Sequence, residues 1–155
     1  MEFHEILGAV QERKPLVQCI TNFVTVNDCA NILLAAQESV GSGGRVLALF
    51  QPHGYGPFGF MADELGKNLQ KILRQQDQLY LAEPFYAGGT SSFSPHASEV
   101  LERWKKTAPG LPVELFSSRQ DLAEQLLRQA SSADLILIMG ARDNTLSEFA
   151  SSLTV

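Results

Sequence analysis

The sequence predicts a three-layer α/β domain built on a mostly parallel sheet of five to six strands, with helices on both faces. Two observations carry this. Short apolar runs recur along the chain, most of them continuous rather than alternating, as strands covered on both faces require. Stretches with helical spacing separate the runs, and strands alternating with helices call for right-handed crossovers within one sheet.

In chain order, a leading helix is expected over about residues 3–12. The first strand is Leu16-Val17-Gln18-Cys19-Ile20, and Val26, Cys29, Ala30, Leu33 and Leu34 mark the helix after it. Gly41-Ser42-Gly43-Gly44 has the makeup either of a flexible linker or of an αβ turn with glycine at the helix end. Val46-Leu47-Ala48-Leu49-Phe50 is the second strand. Gln51 to Phe60 reads as a long Gly/Pro/aromatic loop, and Leu65, Leu69, Ile72 and Leu73 mark the next helix. Leu79-Tyr80-Leu81 is the third strand, followed by another long loop from Glu83 to Ser92. Ala97, Val100, Leu101 and Trp104 form a helical stripe that Pro109-Gly110 closes. Val113 to Phe116 is the fourth strand. Ser118 with Asp121 resembles a capping box opening the stripe Leu122, Ala123, Leu126, Leu127 and Ala130. Leu135-Ile136-Leu137-Ile138-Met139, between Asp134 and Gly140, is the clearest strand, and a closing helix is expected over about 145–153. The arrangement is Rossmann-like. Leu16, Val17, Ile20, Leu33 and Leu34 are expected to bury against Leu47, Leu49 and Leu137.

The 155 residues suit one domain, expected to span 1–155. A hydrophobic share of 45% against 19% charged residues supplies a core. The net charge of −5 argues against a nucleic-acid or anionic-membrane surface. No apolar run reaches the ~20 residues of a membrane span. The acidic N-terminus lacks a signal peptide's regions, so a cytoplasmic location is expected. Cys19 and Cys29 make neither a disulfide framework nor a paired metal motif.

Ligands of open parallel sheets bind beyond the carboxyl ends of the strands, so the strand exits hold the candidate residues. Thr21 and Asn22 either bind a hydroxyl or phosphate or simply cap the following helix. His53 is either an acid/base or ligand contact or a structural histidine. Tyr55 lies beside it, and Tyr86 lies in the glycine-bearing third loop, whose amides suit an anion. Arg142 either clamps a carboxylate or phosphate or is simply solvated at a helix start, and Asp143 or Asn144 suits a helix N-cap. No metal site is expected, because His4, His53 and His96 lie on separate segments. There is no G-x-x-x-x-G-K-[ST], G-x-S-x-G, C-x-x-C or H-E-x-x-H motif in the chain.

Two resemblances fall on different parts of the sequence. The segment Phe50-Gln51-Pro52-His53-Gly54-Tyr55, then Tyr80 to Gly89, then Asp134-Leu135-Ile136-Leu137-Ile138-Met139-Gly140-Ala141-Arg142-Asp143 resemble, in order, three motifs of the C-terminal domain of Mur ligases. These are ATP-dependent amino-acid ligases of peptidoglycan synthesis; the likeness is to the muramate–alanine and muramate–peptide branch and covers about 44–153. Pro15-Leu16-Val17-Gln18-Cys19-Ile20-Thr21-Asn22 and the residues on to Ala35 resemble the N-terminal segment of hydroxyethylthiazole kinase, over about 1–37. The junction is 41–44, which divides the domain into a kinase-like 1–40 and a ligase-like 45–155. Two arginines of the ligase motif F-Q-P-H-x-Y-x-R are replaced by Gly54 and Pro57, and the second glycine of G-A-G-D is Arg142.

The resemblances imply three readings. The chain is an engineered or recombined hybrid without catalysis of its own. Alternatively, it is a Mur-type ligase domain that binds amino acid or nucleotide only together with an ATPase domain. Third, it is a small phosphate- or thiazole-binding protein. ATP and magnesium are implied only for the parent families, and no catalytic residue is expected in the chain by itself. Weak binding of small anions at the strand ends is expected, whereas the oligomeric state is not readable from the sequence.

Overall fold

A computed structural model describes residues 16–20, 26–86, 88–89 and 92–154. The elements are β1 (Leu16–Ile20), α1 (Val26–Val40), β2 (Val46–Gln51), α2 (Tyr55–Ile72), β3 (Gln78–Leu81), α3 (Ala97–Thr107), β4 (Val113–Glu114), α4 (Arg119–Gln129), β5 (Leu135–Gly140) and α5 (Thr145–Ser152). All described strand pairs are parallel, in the order β1-β5-β2-β3-β4. The expected leading helix, His4, Thr21 and Asn22 lie outside the described residues.

Strand side chains alternate between faces, which divides the core in two. Val46, Ala48, Phe50, Leu135, Leu137 and Met139 pack under α1, α2 and α3. Leu47, Leu49, Tyr80, Ile136 and Ile138 pack under α4 and α5. β5 is buried along its whole length, as its unbroken apolar run requires. It lies between β1 and β2, pairing Leu16 with Leu135 on one side and Val46 with Leu135 on the other.

The structure departs from the sequence reading in four places. α2 begins at Tyr55 rather than near Leu65, so the second loop shrinks to Pro52–Gly54. Gly54, at φ +75°, turns the chain into the helix. Pro57 is tolerated in the first turn, where its missing N–H has no helical partner to lose. β4 stops after two residues, because Leu115 is exposed and offers no face to bury. Leu16 and Leu34 are 62% and 42% exposed, because β1 is the sheet edge and Leu34 stands off the buried stripe of α1. Leu33 does bury, in the same core cluster as Leu137; Leu47 and Leu49 lie on the opposite face.

The Gly/Ser junction is an anchored turn and not a loose linker. Gly41 N–H closes α1 on Gln37 O (3.0 Å). Arg74 donates to the carbonyls of Gly41 (2.8 Å) and Gly44 (3.1 Å), and Gln76 donates to that of Ser42 (3.2 Å). A Cβ on Gly44 would meet Ala133 O at 2.1 Å, so only glycine allows this approach. Gln37 reaches across to Asp77 Oδ2 (2.8 Å) and Ile72 O (2.8 Å). Asp77, 2% exposed, also accepts from Val46 N–H (2.9 Å) and Arg74. Asp134 brackets the neighbouring strands in the same way, through Arg45 and Ser131 N–H (2.9 Å). Burial alone would raise both carboxyls, but these hydrogen bonds outweigh it and hold them below the usual carboxylate range.

Candidate functional site

The connectivity fixes where a crevice opens. From β2 the chain leaves into α2 on one face; from the adjacent β5 it leaves into α5 on the other. Two neighbouring strands whose exits diverge make a topological switch point, where open α/β sheets bind ligands. The lips are Gln51 to Gly54 after β2 and Ala141 to Asp143 after β5. The β3 exit extends the first lip. Phe85 N–H donates to Pro52 O (2.8 Å) and Gly54 N–H to Phe85 O (2.9 Å), so His53 is bridged to Phe85.

His53 is half-buried on this edge. Burial first, and then the positive charge of Arg142, hold its imidazole below the ordinary histidine value, so the ring is neutral near pH 7. Arg142 is exposed, with a backbone φ of +66° between the buried Ala141 and Asp143. The resembling ligase motif has glycine here, and the left-handed φ explains why: a residue with a Cβ pays about 1–2 kcal/mol at this position. An exposed guanidinium presents a planar fork that matches a carboxylate or phosphate.

Asp143, by contrast, is fully engaged. One of its oxygens accepts from Thr145 N–H (3.0 Å) and the Thr145 hydroxyl, and the other pairs with Arg119. Burial would raise its carboxyl, but the Thr145 and Arg119 contacts prevail and keep it ionised. It serves as the brace of α5, the capping role the sequence suggested, and Asn144 makes no side-chain cap.

A second group forms at the β3 exit. Glu83 Oε1 accepts from His96 Nδ1 (2.6 Å) and Oε2 accepts from Ala97 N–H (3.1 Å), which places a carboxylate at the N-terminus of α3. Burial and the nearby Glu83 charge raise the hydroxyl of the buried Tyr55 above the usual tyrosine value. Its ring packs edge-on against Phe93 (5.6 Å) and His96 (5.8 Å). Tyr86 leans on Phe93 (4.8 Å) and donates its hydroxyl to Gly89 O.

Of the residues singled out by sequence, His53, Tyr55, Tyr86, Arg142 and Asp143 thus stand along one edge, with Tyr55 and Tyr86 tied into packing. Glu83, His96 and Arg119 were not singled out. The strand-exit rule points to Glu83, directly after β3, but nothing in the sequence pairs it with His96. Among the described residues no group of three His, Cys, Asp or Glu side chains is placed to hold a metal, and the two edge carboxylates are already paired. A groove of about 400 Å³ between α2 and α3, lined by Gly66, Lys67 and Trp104, lies away from these groups.

The chain is similar to two kinds of enzyme at once. A hydroxyethylthiazole kinase of Desulfovibrio desulfuricans is 62% identical over 37 residues, 24% of this chain and 13% of that protein. One of Syntrophomonas wolfei is 66% identical over 35 residues. A UDP-N-acetylmuramate–L-alanine ligase of Agrobacterium fabrum is 30% identical over 114 residues, 74% of this chain and 23% of that protein. The chain thus spans less than a quarter of the length of any of these relatives. A domain ascribed to a UDP-N-acetylmuramate:L-alanyl-gamma-D-glutamyl-medo-diaminopimelate ligase of Haemophilus ducreyi aligns with a TM-score of 0.56 at 20% identity. That alignment covers 93% of this chain and 96% of the other, and shows a shared fold. No family model matches the chain. The two match lengths, 37 and 114 residues, fit the two segments on which the resemblances rest.

Proposed function

We propose that the chain is a hybrid α/β domain of the Mur-ligase C-terminal type that binds a small oxyanion at the β2/β5 crevice and catalyses nothing by itself. Its ligand class is the carboxylate of an amino acid such as L-alanine, with an inorganic or nucleotide phosphate as the chemically equivalent guest. The observation that carries this is Arg142, an exposed residue held at φ +66° on the crevice lip after β5, next to the exit of β2 that bears His53. The name of the Agrobacterium relative, an L-alanine ligase, supports the choice of amino acid. What supports the hybrid part is the split of the similarity, 62% identity to a hydroxyethylthiazole kinase over 37 residues and 30% identity to a muramate–alanine ligase over 114. Phosphoryl transfer needs groups that position ATP and metal; the chain has no P-loop motif, and Glu83 and Asp143 are engaged.

Calorimetry on the 155-residue chain with L-alanine, phosphate and ATP–magnesium tests this. Binding of L-alanine, through its carboxylate, and of phosphate is expected near ~1 mM, which corresponds to roughly −4 kcal/mol. Micromolar ATP binding, or ATP turnover, overturns the non-catalytic reading. Silence towards both L-alanine and phosphate overturns the crevice reading.

A further inference from the structure

One side chain reaches both lips of the crevice. Arg119 opens α4, directly after the Ser118 cap. Its Nη2 donates to Asp143 Oδ2 and to Gln51 Oε1 (3.3 Å), and Nη1 donates to Thr145 Oγ1 (2.6 Å). Gln51 ends β2, and Asp143 and Thr145 belong to the one turn between β5 and α5, so one guanidinium joins α4 to two segments distant from it in sequence. A rigid fork of five donors can serve three acceptors in fixed directions; a lysine ammonium keeps the charge without that geometry. Asp143 has an 8% exposed side chain, and Thr145 closes on its other oxygen. The turn that carries Arg142 is therefore held on both sides. A left-handed arginine persists only where its surroundings over-determine it, and these contacts are what surrounds it.

We infer that Arg119 is the positioning residue of the crevice: by tying Asp143 and Thr145 to Gln51, it holds Arg142 out at the lip and fixes the spacing to His53 for a small oxyanion, without touching that ligand. The inference rests on the anion reading above and names the regulator of the same site.

The test is an NMR titration of the native chain, Arg119→Lys and Thr145→Val with inorganic phosphate and, separately, L-alanine, with the Tm of each recorded. Both variants are expected to bind at least fivefold more weakly than native, with the Arg142 amide resonance displaced before any ligand is added. Arg119→Lys that binds like native, with that resonance unmoved, shows that only charge matters and overturns the inference. If Arg119→Lys does not fold, Thr145→Val carries the same two readouts. A native chain that binds neither probe overturns the anion reading instead; the inference on Arg119 then stands or falls on the Arg142 resonance.

Discussion

Replacing Arg142 by glycine should make the protein more stable and less able to bind. The arginine sits at φ +66°, a conformation that costs a residue with a Cβ about 1–2 kcal/mol. Glycine escapes that cost but gives back about 0.5–1 kcal/mol through its greater freedom in the unfolded chain. Arg142 is exposed, so the exchange loses little packing. The net expectation is a gain of about 0.5–1 kcal/mol, seen as a Tm rise of roughly 1–4 °C for a domain of this size. The same change removes the charge that helps depress His53, so its pKa should climb towards the ordinary histidine value, while burial keeps it from reaching that value. Thermal unfolding and a proton–carbon NMR titration of His53 measure the two effects. A loss of stability would show that the turn is not strained, and an unmoved His53 titration would show that the two side chains do not face each other.

Three further outcomes follow from the packing and the buried carboxylates. Leu33→Ala, at a fully buried position of the kinase-like helix, should cost about 2–5 kcal/mol in urea unfolding; a cost under about 1 kcal/mol would mean that the helix docks only loosely. Gly44→Ala must push a Cβ against Ala133 O and should lose about 1–3 kcal/mol by the same assay. Asp77→Ala leaves the Val46 N–H and the Arg74 guanidinium without their carboxylate and should cost about 3–5 kcal/mol at pH 7. Because the folded carboxyl of Asp77 lies below its unfolded value, its contribution is present above pH ~4 and is lost as pH falls through the folded pKa. The gap between native and Asp77→Ala should therefore close in acid; a gap that widens below pH ~4 would contradict the sign.

The strands were legible because burial on both faces writes itself as an unbroken apolar run, most plainly in Leu135 to Met139. α2 was half hidden: Gly54-Tyr55-Gly56-Pro57 has the composition of a loop, yet Pro57 is harmless in a first turn. Composition left the glycine stretch open between a linker and a helix-end turn; it found the turn but did not reveal that Arg74 and Gln76, some thirty residues on, bind its carbonyls. The strand-exit rule located His53 and Arg142, since parallel topology alone fixes where exits lie. It could not reveal that Asp143 is already held by Arg119, or that Glu83 joins His96. Those pairings come from loop closure and packing, which have no local periodicity to read.

The most direct test of the account is a proton–nitrogen NMR titration of L-alanine into the native chain and into Arg142→Gly. Saturable shifts centred on His53, Gly54, Arg142 and Asp143 in the native protein, absent from the variant, are the predicted result. Shifts that persist in the variant, or that cluster instead along the α2–α3 groove around Lys67 and Trp104, would contradict it.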